Sequence, residues 1–408
     1  MPDVQFVVPY SLPISLRFLR GVAALPAVRL GVIGGEPLER LPDDVRRRLA
    51  GHWRVRDPLD PRQLLEASRG LSRQMAGAPP DRLLGVLEQL QEPLAVVREE
   101  LGIPGMGRET ARNFRDKAWM KTLLRRAGLP CARHCLAESA EGARAFAAAT
   151  GFPLVVKPPA GAGAQATFRV DDPEQLEAAL AAHRPSPGQP WLFEEFVLGD
   201  EHSFDTLSID GRAVWHSLTH YLPTPLEVLR NPWIQWCVLL PREVDAPLYD
   251  DIRTAAFRTL EVLGMGTGMS HLEWFRRRDG SIAISEVAAR PPGAQITTLM
   301  ALAHELDIYR AWARLMVHGE LDLPQRRYAA GAAFLRGQGQ GRVKAVHGLE
   351  EAQRGVAGLV VDVQLPRPGQ PRSASYEGEG YVVLRHPDTA VVRRALHHLV
   401  STIRVEVE

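Results

Sequence analysis

The chain has 408 residues, a formal net charge of +1, 45% hydrophobic residues and 24% charged residues. That length allows about two to four domains with separate cores. The near-neutral charge argues against nucleic acid or an anionic membrane surface as partner. Three cysteines, Cys131, Cys135 and Cys237, are too few for a disulfide framework and form no CxxC pair, which fits a reduced cytoplasm. The N-terminus lacks a basic export-signal region, and no apolar run reaches the roughly 18 residues of a membrane span.

The first hundred residues read as an α/β unit. Val4 to Pro9 and Val28 to Ile33 are short β-branched runs with the helical pattern SLRFLRGVAAL between them, and such alternation predicts a parallel sheet. No GxGxxG follows the first strand, so a dinucleotide role is unsupported. Helical spacing returns over Asp81 to Leu101, with Leu83, Leu84, Leu87, Leu90 and Leu94 on the stripe.

From Asn113 the stretch NFRDKAWMKTLLRRAGLP predicts a helix, with Gly128 as C-cap and Pro130 as stop. A small α/β block follows to about 205: a strand FPLVVKP, a Gly/Ala loop, ATFRV, a helix DPEQLEAALAAH, and a strand WLFEEFV. Lys157 precedes a loop holding Gly161 and Gly163. Two readings fit it, a plain hairpin and a phosphate-binding loop in which glycines admit the oxygens and lysine adds charge. Glu194, Glu195 and Glu201 lie in FEEFVLGDE, where an edge strand with solvated glutamates is the plain reading. Lys117 in RDKAWM reads equally as a surface lysine.

The block from 206 to 330 ends in GMSHLEWFRRRDGSIAISEVAAR, two strands flanking an Asp279-Gly280 turn, a strong hairpin signal. A two-residue loop pairs Arg278 with Ser281 and, counting back, sets Glu273 opposite Glu286 and His271 opposite Ala288. Cross-strand partners share a face with Cβ atoms about 4.5–5.5 Å apart. Bare like charges there repel, whereas a hard divalent cation between them makes a site, since magnesium takes carboxylates plus substrate phosphates. Arg290 follows just past the strand end. Trp233 and Trp236 would suit an apolar or aromatic group, or simply pack a loop. The lone histidines His216, His220 and His271 receive no role. Beyond residue 331, strands GLVVDVQL and GYVVLRH and a helix TAVVRRALHHLVSTI predict an α+β cap.

In this order, RDKAWMKTLLRRAGLP, PLVVKPPAGAGA, FEEFVLGDEHSFD, HLEWF and ISEVAARPPG resemble the ATP-grasp superfamily of carboxylate–amine ligases, most like its L-amino-acid ligases. The resemblance implies an α/β ATP-grasp fold: an N-terminal pre-ATP-grasp domain (1–112), a small lid subdomain (113–205), a large subdomain with a central antiparallel sheet (206–330) and a C-terminal α+β cap (331–408). It implies ATP and magnesium, with manganese able to substitute. Lys117 and Lys157 look like the two phosphate-holding lysines, with Gly161 and Gly163 in the flap over the triphosphate. Glu194 and Glu195 fall at the adenine end. Val197 matches the backbone contact to the ring, and Glu201 the ribose carboxylate. Glu273 and Glu286 match the magnesium ligands, and Arg290 the arginine at the acyl phosphate. Ala288 departs from the pattern, which often has Asn there.

The implied activity joins a small carboxylate to an amine, amino acids or peptides, in a cytoplasmic homodimer with neither nucleic acid nor membrane as partner. A carboxylase acting on bicarbonate and a non-catalytic ATP-sensing module are the alternatives.

Overall fold

The computed structural model describes residues 1–75, 77–159, 167–231 and 234–408. The N-terminal strands β1 (Asp3–Val8), β2 (Arg29–Gly34), β3 (Leu49–Arg54) and β4 (Arg82–Leu84) form a parallel sheet in the order β3-β2-β1-β4. All six residues of β1 are buried, as expected for a strand covered on both faces. Gln5, fully buried in its middle, donates to Ser68 O at 3.0 Å and to Ser72 Oγ at 3.1 Å. The helix expected over Asp81–Leu101 is shorter. Its first part is β4 and a 3-10 turn, Glu88–Leu90, and the helix itself is Gln91–Leu101. Leu83 and Leu84 are both buried, and pairing with β1 overrides a leucine spacing that also suits a helix.

A second, antiparallel sheet holds β5 (His134–Ala137), β6 (Leu154–Lys157), β7 (Phe168–Val170) and β8 (Trp191–Glu195) in the order β5-β8-β6-β7. β8 is therefore interior, and the expected edge strand is corrected.

The large sheet is antiparallel throughout. It is built from β9 (Gly199–Ile209), β10 (Arg212–Leu222), β11 (Trp236–Leu240), β12 (Gly268–Arg277), β13 (Ile282–Ala288) and β14 (Ala329–Leu335). The short strands β15 (Gly337–Gln338) and β16 (Val343–His347) leave it, and β17 (Val360–Gln364) and β18 (Gly380–His386) return to it, giving the order β13-β12-β9-β10-β11-β14-β18-β17. β15 and β16 pair instead with β19 (Arg404–Val407). The C-terminal cap thus shares a sheet with the preceding subdomain, because β14 bridges β11 and β18.

The N-terminal unit docks on this body through the helix Pro13–Ala23. Phe18 meets Trp312 edge-on at 4.8 Å and Tyr309 at 4.9 Å. Gly21 allows the close approach, since a Cβ there would lie 2.5 Å from Tyr309 O. No helix among the described residues is long and apolar enough to cross a membrane.

Candidate active site

The β12–β13 hairpin sets the geometry. Its turn is one residue longer than expected: Arg277 N donates to Ser281 O at 2.8 Å, leaving Arg278, Asp279 and Gly280 in the loop. Gly280 takes φ +85°, the left-handed position that favours glycine in three-residue hairpin loops. This shifts the register by one residue, and a β-bulge at Ser285 shifts it back. Trp274 pairs with Ile284, whereas Glu273 pairs with Glu286 and His271 with Ala288. The opposed carboxylates are observed, through two offsets that cancel.

Glu286 is met from the helix Lys117–Arg126. Asp116 caps that helix by accepting from Trp119 N at 2.9 Å, and Lys117, its first residue, is buried with Nζ 2.7 Å from Glu286 Oε1. The surface-lysine reading is thereby corrected. Burial pushes the Glu286 carboxyl up, but Lys117 and Lys157 outweigh it and bring it down to about 2.

Lys157 ends β6 and reaches across to β8, where its Nζ lies 3.0 Å from Glu194 Oε2. Lys121 Nζ approaches the other oxygen at 3.3 Å. Glu194 is only 4% exposed, so the solvated-glutamate reading fails there: an interior strand directs this side chain between two lysines. Burial opposes its charge, yet Lys121 and Lys157 hold the carboxyl below its ordinary range. Its neighbour Glu195 alternates to the other side, with Oε1 2.7 Å from Arg277 Nη2 and Oε2 2.8 Å from Arg133 Nε. Glu201, on β9, is buried, and burial and then Glu273 push its carboxyl well above the usual range.

Arg290 leaves β13 and turns toward the N-terminal unit. Its Nε donates to Glu88 Oε2 at 2.8 Å and its Nη1 to Pro291 O at 2.9 Å. The other Glu88 oxygen accepts from Arg115 Nη1 at 3.2 Å.

Lys117, Lys157, Glu194, Glu195, Glu201, Glu273, Glu286 and Arg290 border one cavity of about 1340 Å³ between the small and large sheets, as do Glu88, Arg115 and Val197. Of the residues expected at the site, Gly161 and Gly163 lie outside the described residues, as does Trp233. Trp236 is buried against Phe334 and donates from Nε1 to Pro223 O at 3.0 Å.

Sequence reasoning missed Glu88, Arg115, Lys121 and the pair Asp205–His271. Lys121 lies four residues after Lys117, hence on the same helix face, a signal that was available. His271 precedes Glu273 by two and so shares its face. Its Nδ1 sits 2.6 Å from Asp205 Oδ1 and its Nε2 3.6 Å from Glu273 Oε1. Burial lowers its basicity, but Asp205 outweighs burial and raises the imidazole to about 9. Glu88 had no local signal, since it meets Arg290 across 202 positions.

Both Glu273 and Glu286 offer hard oxygen donors at the cavity wall, and Glu286 is held ionised, which fits magnesium. Among the described residues no group of three or more His, Cys, Asp or Glu side chains is arranged to hold a metal. A cation here would therefore rest on two protein carboxylates.

The cleft thus lies between a small four-stranded sheet and a large antiparallel one. Residues 122–304 match the ATP-grasp domain family, and the chain carries that domain. It is 24% identical over 250 residues to the L-arginine-specific L-amino acid ligase of Bacillus subtilis, a match covering 60% of each. The chain thus spans about 60% of the length of that curated relative. Its fold resembles the L-amino acid ligase from Bacillus licheniformis with a TM-score of 0.77 at 19% identity, covering 100% of this chain and 99% of the other. It also resembles N5-carboxyaminoimidazole ribonucleotide synthetase from Thermotoga maritima, with a TM-score of 0.69 at 18% identity and 100% coverage of both. At such identities the structural likeness is one of fold.

Proposed function

We propose that this chain is an ATP-dependent carboxylate–amine ligase, joining small acids and amines, amino acids or peptides, through an acyl phosphate. The observation that carries the reading is the opposed pair Glu273–Glu286, facing Lys117 in a cavity shared with Lys157 and Arg290. In this reading Lys117 and Lys157 hold the ATP phosphates. Glu194, Glu195 and Val197 border the adenine end, Glu201 takes the ribose, and Glu273 and Glu286 would hold magnesium or manganese. When bound, the metal supplies charge neutralisation at the phosphoryl oxygens.

A substrate carboxylate oxygen attacks the γ-phosphorus, the bond to the bridging oxygen breaks, and ADP leaves. The amine nitrogen then attacks the acyl carbon, phosphate departs and the nitrogen loses a proton. Such transfer asks for positioning and charge more than covalent help. Lys117, Lys157 and Arg290 supply fixed positive charge where negative charge accumulates.

The test is an ADP- and phosphate-release screen of pairwise amino-acid mixtures with magnesium, followed by mass spectrometry of the products. A dipeptide or amide formed with stoichiometric ADP is expected. ADP formed with bicarbonate and no amine would favour a carboxylase instead. Ala288 favours a second reading, a nucleotide-sensing module, which predicts tight ATP binding and no ADP from any mixture. Sedimentation velocity reads whether the chain forms the homodimer that the resemblance implies.

A further inference from the structure

We infer that Arg115 is a second anion-binding arginine of this site, and that Glu88 holds it together with Arg290 as a cradle for an oxyanion. The oxyanion is the carboxylate of the acid substrate or the phosphoryl group it receives. Its identity rests on the ligase reading; the existence of the cradle does not.

Three separate elements meet here. Glu88 comes from the 3-10 turn Glu88–Leu90 of the N-terminal unit, Arg115 ends the helix Arg108–Arg115, and Arg290 follows β13. One carboxylate accepts from both guanidiniums, one per oxygen, at 3.2 and 2.8 Å. The side chains of Arg115 and Arg290 are only 13% and 18% exposed, and that of Glu88 is 6% exposed. Two guanidiniums against one carboxylate leave a net charge of about +1 with little water to screen it.

Glu286 also acts on Arg290, but it is itself engaged by Lys117 at 2.7 Å, so the two guanidiniums keep capacity for a further anion. Both arginines border the cavity that Glu286 and Lys117 also line. Arg115 spends only Nη1 on Glu88, and Arg290 only Nε and Nη1 on its partners. The remaining nitrogens are the planar donors that suit carboxylate or phosphate oxygens. Arg115 is then an anion-binding residue, and Glu88 a positioning residue that acts through the two arginines.

Isothermal titration calorimetry on the full chain tests this with two probes: inorganic phosphate in the presence of MgADP, and L-alanine in the presence of magnesium and a non-hydrolysable ATP analogue. Arg115→Gln is expected to weaken at least one probe about tenfold or more while the Kd for MgADP changes less than about twofold. Arg115→Lys should recover part of the loss. Glu88→Gln should weaken the same probe with MgADP binding preserved, because the arginines lose their common anchor.

Loss of phosphate alone assigns the cradle to the phosphoryl group, and loss of L-alanine alone assigns it to the carboxylate. The inference is overturned if the wild type takes up neither probe, or if Arg115→Gln binds both as the wild type does. It is also overturned if that variant loses MgADP in equal measure. Failure of the ligase screen with phosphate binding intact would remove the ligase reading and leave the cradle standing.

Discussion

Glu286 owes its charge to its neighbours. Lys117 at 2.7 Å keeps the carboxyl ionised despite burial, so it is ready to take a cation without first losing a proton. Glu286→Gln preserves shape and removes that charge. ADP release is expected to fall by about 10²-fold or more, roughly 3 kcal/mol of transition-state stabilisation, with the melting temperature little changed. A coupled ADP assay beside a thermal melt checks this, and undiminished turnover would refute the metal role. Lys121 is fully buried against Glu194. Lys121→Met should raise the KM for ATP several-fold and lower stability by about 1–3 kcal/mol, since Glu194 keeps Lys157 but loses half of its compensation. Steady-state kinetics and urea unfolding read the two effects separately.

The strands β9 and β10 carry different chemistry on their two faces. Glu201, Ser203 and Asp205 alternate with His202, which packs against His220 at 4.6 Å and Trp274 at 4.7 Å on the other side. Burial, reinforced by nearby cations, brings His202 down to about 4 and His220 down to about 3. A histidine depressed in the folded state binds fewer protons than in the unfolded chain, so stability rises with pH across the window between the two values. The protein should therefore lose stability as pH falls from about 6.5 toward about 4, by on the order of 1–3 kcal/mol per ring. Urea midpoints at pH 7, 5 and 4 measure this; a flat profile would contradict it. In the hairpin, Gly280→Ala forces a side chain into φ +85° and should cost about 1 kcal/mol, seen as a lower urea midpoint.

The N-terminal unit brings Glu88, on the turn after β4, to the cavity, and it docks on the body in part through Phe18, Gly21, Tyr309 and Trp312. Phe18→Ala should destabilise the protein by about 3–5 kcal/mol and weaken the Glu88 contacts with it, measured by unfolding together with phosphate titration in the presence of MgADP. MgATP at about 100 times its Kd should stabilise the fold by about 2.7 kcal/mol, EDTA should remove most of that gain, and manganese should restore it. A melting shift by ATP that ignores EDTA would count against the two-carboxylate metal site.

Much of this was legible along the chain because it is local. Strand alternation and the Asp279-Gly280 turn brought Glu273 opposite Glu286, although the longer loop and the Ser285 bulge that keep them so carry no sequence signature. Lys157 at the end of an apolar strand was legible for the same reason. Which side of a sheet is covered is not a local property. Glu194 read as solvated until β5 and β6 closed over both edges of β8, and the leucines near 83 read as helix until β1 supplied a partner. Glu88, Arg115 and Arg290 meet from distant elements, and His271 finds Asp205 across 66 positions. Charges so far apart along the chain acquire their partners, and hence their ionisation, only when packing excludes the water that would otherwise screen them.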